Sequence, residues 1–373
     1  MTDTAPAAPP PKPSQARTAS LERRPSLPAL TGVRFFAAFY VVLFHALPWL
    51  EAHFHLPRTL AIFLGNGYLA VALFFLLSGF ILSYTYEGHV EGIQQCARFW
   101  EARFARIYPV YFLSLLLALP FQLHLSTGAR VSVIAMVQAW NPFHREWAGA
   151  WNYPAWSLSV EAFFYLSFPF LQRKISRFSD PALLLFTLAM AVLCVFGHTP
   201  TQGLGNWDQT SVYSRFLILP MLRLPEFLVG MALGNRFLRL GVSSNSTILT
   251  YLSAIAVIVL LSVPIGPWVS LVVIPFASLI YDLADSGNQL AGLLSTRLMI
   301  LLGGASYSVY LLQSPFRDWV RVISERALSM IAGFATPATP VLLVFFSIAV
   351  FKLWEEPSRR AIRRWFGSKA SSF

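Results

Sequence analysis

The sequence predicts an all-α protein, a polytopic membrane helix bundle of about ten transmembrane helices with both termini cytoplasmic. Three observations predict it. Of the 373 residues, 56% are hydrophobic and only 12% are charged, about half the charged share of an ordinary soluble domain. The apolar residues fall into long unbroken runs, as helices in hydrocarbon require. The lysines and arginines give a net charge of +11 and gather between those runs, where they set orientation. The basic balance therefore reads as topology and not as nucleic-acid binding.

Residues 1–29 are rich in Pro, Ala and Ser and read as a disordered cytoplasmic tail. No apolar core of a signal peptide precedes residue 30, so the first span is expected to direct insertion. Apolar segments follow near 33–50, 60–84, 104–124, 157–172, 182–197, 213–235, 247–263, 268–285, 298–320 and 339–355. Each can cross a hydrocarbon layer of about 30 Å, the two near 157 and 182 only with help from their flanks. The run "VSVIAMVQAW" (131–140) is shorter still. Arg98, Arg103 and Arg106 precede the third span, and Arg173, Lys174 and Arg177 follow the fourth, so both clusters are placed inside. Two crossings already separate them. The segment 131–155 is thus expected to stay on the far side as a re-entrant or interfacial element. Arg236 and Arg239 return inside, as do Lys352, Arg359, Arg360, Arg363 and Arg364, and "SVPIGPW" (262–268) makes an outer hairpin. The membrane domain spans 30–357, and a basic cytoplasmic tail occupies 358–373. No internal repeat is evident.

Ionisable groups within the spans are the functional candidates, because they are costly in hydrocarbon. Arg34 and His45 stand eleven positions apart on the first helix, about 16 Å and close to three turns, so they share a face. They mark either a polar route through the membrane, or a snorkelling arginine and a histidine satisfied by a carbonyl. Arg103 and Arg106 also share a face. Guanidinium pairs grip phosphate, and a helix start would add free N–H groups. The pair suits a phosphorylated donor such as a coenzyme A ester; the plainer reading is a positive-inside anchor.

Glu161 follows Trp156, Ser157 and Ser159 at the outer start of a helix. Its carboxylate can pair with Arg or His, bind hydroxyls, or simply favour the helix dipole. Trp140, Trp147, Trp151 and Trp156 crowd the same region, as an interfacial belt or as flat faces for a sugar ring. Arg223 and Glu226 have the spacing of a structural ion pair. Asp282 and Asp285 read as anchors, and Tyr307, Tyr310 and Gln313 as polar tips packing one side of the ninth helix. Cys96 and Cys194 imply neither a disulfide framework nor a metal site. No phosphate loop, dinucleotide fingerprint, HExxH or GxSxG motif is present.

Several segments together carry a resemblance: "LPALTGVRFFAAFYVVLFH", "FFLLSGFILS", "RFARIYP", "WSLSVEAFFYLSFPFL", "RLPEFLVGMALG", "SYSVYLLQSPF" and "LWEEPSRR". In this order, from about residue 28 to 360, they resemble the integral-membrane acyltransferase-3 family, the O-acetylases of bacterial surface polysaccharides. The family's basic residue, ten positions and histidine match Arg34 and His45. Its R-x-x-R matches Arg103 and Arg106, and its WSLSxE element matches Trp156 to Glu161. The resemblance implies ten helices in a bacterial inner or plasma membrane. It also implies an acyl-CoA donor, most often acetyl-CoA, entering from the cytoplasm, with no metal. The acyl group would pass to a hydroxyl of a glycan or lipid-linked glycan at the outer face, with glycan-assembly proteins as partners. In that scheme Arg103 and Arg106 bind the donor's phosphates. His45 is general base or transient acyl carrier, Arg34 stabilises developing negative charge, and Glu161 orients His45 or the acceptor. Trp156, Ser157 and Ser159 bind the acceptor. The chain departs from the family at Ala162 and Phe163, where Glu and Gln are frequent, and at Gln313, where His is frequent. No fused SGNH-type esterase domain is expected. Rival readings are a transporter or flippase using Arg34 and His45 as a proton relay, and a subunit that docks a glycan-assembly enzyme.

Overall fold

The computed structural model describes residues 24–122, 124–198, 218–241, 246–285, 287–326 and 329–370. Among them all regular structure is helical. The expected tail over residues 1–23 and the start of the expected span at 213–217 lie outside the described residues.

The first helix, α1 (Pro28–His53), starts with proline at its first position, where no N–H is needed. The expected span at 60–84 is α2 (Arg58–Gly65) and α3 (Ala70–Tyr86), joined by the 3₁₀ turn Asn66–Leu69. Next, α4 (Ile93–Ala118) begins well before residue 104, because Gly92 provides an extended N-cap and its amide donates to Gln95 Oε1 at 3.1 Å. The short α5 (Thr127–Ile134) leads through 3₁₀ turns to α6 (Trp156–Ile175), α7 (Asp180–His198), α8 (Pro220–Leu240), α9 (Ser246–Ser262) and α10 (Val273–Leu283). The short α11 (Gln289–Leu294) precedes α12 (Arg297–Arg326) and α13 (Ser329–Val350), and a π-helical turn, Phe351–Glu355, passes into α14 (Glu356–Ala370). Among the described residues, four runs are long and apolar enough to cross a membrane: Pro28–His53, Arg58–Tyr86, Ile93–Phe121 and Pro337–Phe366. Asp180–Phe196, Thr247–Ser262 and Trp268–Leu283 are shorter apolar helices.

Within 131–155 the only α-helical stretch is the end of α5, whose eight residues span about 12 Å. That is too short to cross a bilayer. The segment is instead sewn to its neighbours. Tyr111 donates to Val133 O at 2.5 Å, Trp140 Nε1 to Ser159 O at 2.8 Å, and Trp151 Nε1 to Leu115 O at 2.8 Å. The Asn152 amide donates to Leu311 O at 2.9 Å and Ser114 Oγ at 3.0 Å. Met136 and Trp151 take positive φ values of 62° and 66°, a strained choice for large side chains that these contacts hold in place. Trp140 and Trp151 are thus backbone anchors of this segment. The basic stretch after residue 357 is helical too, since α14 continues to Ala370 and packs on α4.

Two close approaches place the helices that build the site. Gly79 of α3 meets α8 so tightly that an added Cβ would lie 2.1 Å from Phe227 O. Gly303 of α12 is likewise pressed on Thr31 O of α1, at 2.0 Å. Small residues permit this backbone contact in membrane bundles. From the Thr31–Gly303 contact, α1 and α12 run in the same direction. Equal steps along both helices put Arg34 level with Ser306 and bring the His45 ring into the field of Arg317.

Candidate active site

A cavity of about 750 Å³, counting its open mouth, lies between α1, α3, α4, α6 and α12. Its polar wall is Arg34, Arg103, Arg106, Glu161, Tyr165 and Tyr307. Seven of the residues singled out from the sequence therefore converge here from four helices: Arg34, Arg103, Arg106, Ser157, Glu161, Tyr307 and Tyr310.

Their partners differ. Arg106 is ion-paired with Glu355, which is 1% exposed and takes a second hydrogen bond from Ser308 Oγ at 2.8 Å. Arg103 donates to Tyr86 OH at 3.0 Å, and its guanidinium lies over the rings of Tyr86, Phe99 and Tyr165 at 5.3, 5.8 and 5.9 Å. Glu161 Oε1 accepts from Ser78 Oγ at 3.0 Å and Tyr165 OH at 2.5 Å. Arg34 makes no hydrogen bond or ion pair among the described residues, yet it lies in the field of Arg106, Glu161 and Glu355. The three arginines against Glu161 and Glu355 leave a formal charge of +1 (3 − 2), and neither Arg34 nor Arg103 has an ion-pair partner among the described residues. A buried guanidinium without acceptors is costly, so the cavity favours a ligand that brings hydrogen-bond acceptors.

Several expectations need correction. Arg103 and Arg106 lie in the interior of α4, ten or more residues past its start at Ile93, so no free helix-start amides assist them. Ser159 is fully buried and its Oγ accepts from Ala139 N at 3.1 Å; it fixes the α5–α6 segment and does not line the cavity. Trp156 packs against the core and is also absent from the lining. No hydrogen bond joins Glu161 to His45 among the described residues; its Oε1 is held by Ser78 and Tyr165.

His45 stands outside the cavity. Its ring meets Tyr153 edge-on at 6.1 Å and Phe44 at 5.0 Å, and it has no hydrogen-bond partner among the described residues. Helix rise puts it about 16 Å from Arg34. Between them stand Ser157 and Tyr310, whose hydroxyls share a 2.7 Å hydrogen bond, and Phe74, edge-on to Tyr310 at 5.7 Å. Both hydroxyls also reach Pro154 O, Ser157 at 3.0 Å and Tyr310 at 3.2 Å. Just beyond, the Gln313 amide donates to Tyr310 O at 2.7 Å, while its buried Oε1 has no partner among the described residues.

Arg223 and Glu226 form the structural pair expected of them, 3.1 Å apart and almost wholly buried. Arg223 lies over Phe75 at 5.4 Å, and Phe75 lines the cavity, so the pair braces its wall. Sequence reasoning missed Glu355, Ser78, Tyr86 and Tyr165. A signal for Glu355 existed, a carboxylate closing the apolar run in "LWEEP". What turns it inward is the π-helical turn, a device often found at functional sites.

A family model described as an acyltransferase domain matches residues 27–353 of this chain. The chain belongs to the acyltransferase-3 family. Acyltransferase MdmB of Streptomyces mycarofaciens is 30% identical over 307 residues, covering 76% of this chain and 77% of that protein. O-acetyltransferase OatA of Staphylococcus aureus is 24% identical over 380 residues, covering 93% of this chain and 58% of OatA. No solved structure matches. As an acyltransferase-3 protein with several membrane-capable helices, the chain is a membrane acyltransferase of the non-aminoacyl class.

Proposed function

We propose that this acyltransferase takes an acetyl or other short acyl group from cytoplasmic acyl-CoA. It passes the group to a hydroxyl of a cell-surface glycan or lipid-linked glycan at the far side of a bacterial inner membrane. Ten crossings with both termini cytoplasmic suit that direction, as the basic clusters argue. The observation that carries the proposal is the cavity: Arg34, without an ion-pair partner among the described residues, beside Arg103 and Arg106, on the helix face that leads to His45.

The donor's arm enters the cavity past Arg103 and Arg106 and is drawn in by Arg34. Its thioester meets the acceptor at His45. There the imidazole removes the proton of the acceptor hydroxyl, whose oxygen attacks the thioester carbonyl, and collapse expels the coenzyme A thiolate, which is then protonated. An acyl-His intermediate would split the same transfer into two steps. An oxyanion donor must lie about 3 Å from the developing charge. Arg34, about 16 Å from His45 along the helix, therefore binds the donor and does not stabilise the oxyanion at His45. Ser157, in the cavity lining, is the residue left to meet the acceptor.

The test is thioester consumption. Purified wild type and His45→Ala are incubated with acetyl-CoA and a surface-glycan fraction, and free thiol and acetylated glycan are followed. Product from wild type alone is expected. Equal turnover in both removes His45 from the chemistry.

A further inference from the structure

We propose that Arg359 and Arg363 of α14 are the clamp for the donor's phosphates, and that Arg103 and Arg106 line the channel for its uncharged arm. This rests on the donor being an acyl-CoA.

The cavity itself is a poor place for those phosphates. Coenzyme A carries a diphosphate and a 3′-phosphate, several negative charges in all. Inside the cavity Arg106 is already held by Glu355, and Arg103 is packed among three rings. Glu161 and Glu355 would repel the phosphates, and the formal balance is only +1.

Free cations stand just outside. α14 starts immediately after Glu355. Arg359 follows four residues later, about 6 Å along the axis. Like Ile362 and Phe366 it is half-buried, so it lies on the helix's inner side. Its charge acts on Arg106, Arg363, Glu355 and Glu356, which puts it close to the Arg106–Glu355 pair, just beyond the cavity lining. Arg363 lies one turn further out and is exposed. Neither Arg359 nor Arg363 makes a hydrogen bond or ion pair among the described residues. Arg360, by contrast, is tied to Glu356 at 2.5 Å, and Arg364 falls on the side of α14 away from Glu355. α14 also packs on α4, which carries Arg103 and Arg106. The result is a ladder of Arg106, Arg359 and Arg363 from the cavity to the surface. Two unpaired guanidinium groups one turn apart, beside a third, are unfavourable until an anion joins them. Arginine's fork binds phosphate oxygens two at a time.

The phosphate could belong to coenzyme A or to an anionic lipid, and the two are separable. Full-length protein is placed in discs of neutral lipid, or of neutral lipid mixed with phosphatidylglycerol. KM is measured for acetyl-CoA and for S-acetylpantetheine, which lacks the phosphates, and coenzyme A binding is titrated on the same samples. Arg359→Ala/Arg363→Ala is expected to raise KM for acetyl-CoA about ten-fold or more, with a far smaller effect on acetylpantetheine and the same result in both lipids. Arg359→Lys should recover part of the loss, and Arg364→Ala should act like wild type. An equal loss with both donors overturns the clamp in favour of a structural role. A loss confined to anionic discs assigns the arginines to lipid. Wild-type use of acetyl-CoA with an unchanged KM in the double variant overturns the clamp alone. A wild type that binds no coenzyme A overturns the donor reading with it.

Discussion

Arg106 on α4 and Glu355 at the end of the chain's π-helical turn are ion-paired across 249 residues of sequence. The contact ties the turn between α13 and α14 to the cavity. It is also a buried pair, and breaking one side leaves a charge uncompensated, at a cost of about 3–5 kcal/mol. Glu355→Ala should therefore destabilise the protein by about that amount, measured by denaturant unfolding in detergent. Arg106→Ala/Glu355→Ala should cost clearly less than the sum of the two single variants. Additive losses would show that the pair is not coupled.

Arg34 should behave in the opposite way. It has no partner to abandon, so Arg34→Ala should leave the melting temperature near that of wild type, or raise it. The same change should raise the KM for the acyl donor about ten-fold, the worth of one charged hydrogen bond, and Arg34→Lys should recover part of it. A drop in stability without a change in donor KM would make Arg34 a structural residue. This contrast between neighbouring arginines, one paired and one free, separates binding from scaffolding within a single cavity.

At the α3–α8 contact a side chain has nowhere to go. A methyl group on Gly79 would lie 2.1 Å from Phe227 O and 2.8 Å from Met231 N, both backbone atoms that cannot swing aside. Gly79→Ala should push the helices apart and cost about 1–3 kcal/mol, as overpacking does. Because Ser78 and Arg223 sit on these helices, the same variant should weaken donor binding as well. Normal stability in Gly79→Ala would mean that the contact is looser than it stands here.

Much of this was legible in the sequence. Long apolar runs gave the helices, and the eleven-residue step from Arg34 to His45 put both on one face. The i,i+3 spacing of Arg103 and Arg106 led to the cavity, and that of Arg223 and Glu226 to a structural pair. What stayed hidden depended on contacts distant in sequence or on backbone detail. The start of α4 at Ile93 followed from the Gly92–Gln95 cap, which hydropathy does not see. Ser159 looked like a ligand, yet its hydroxyl serves the amide of Ala139. Glu355 went unremarked because only the π-helical turn aims it at Arg106. The eleven-residue step from Arg34 to His45 reads as a route, and about 16 Å of helix makes them two stations on it.

Those two stations are divided by Ser157, Tyr310 and Phe74, and the division is testable. A cysteine placed by His45→Cys should react faster with a membrane-impermeant thiol reagent from the outer side than from the cytoplasmic side. The native Cys96 and Cys194 are buried and should react slowly. Tyr310→Ala removes the ring that meets Phe74 edge-on and the hydroxyl that binds Ser157. In that background the cytoplasmic rate should rise about ten-fold or more, because the lost contacts together are worth more than 1.4 kcal/mol. Tyr310→Phe keeps the ring but loses the hydrogen bond, and should give a smaller rise. If cysteine at position 45 already reacts equally from both sides, the passage is open, and the acyl donor needs no movement of Tyr310 to reach His45.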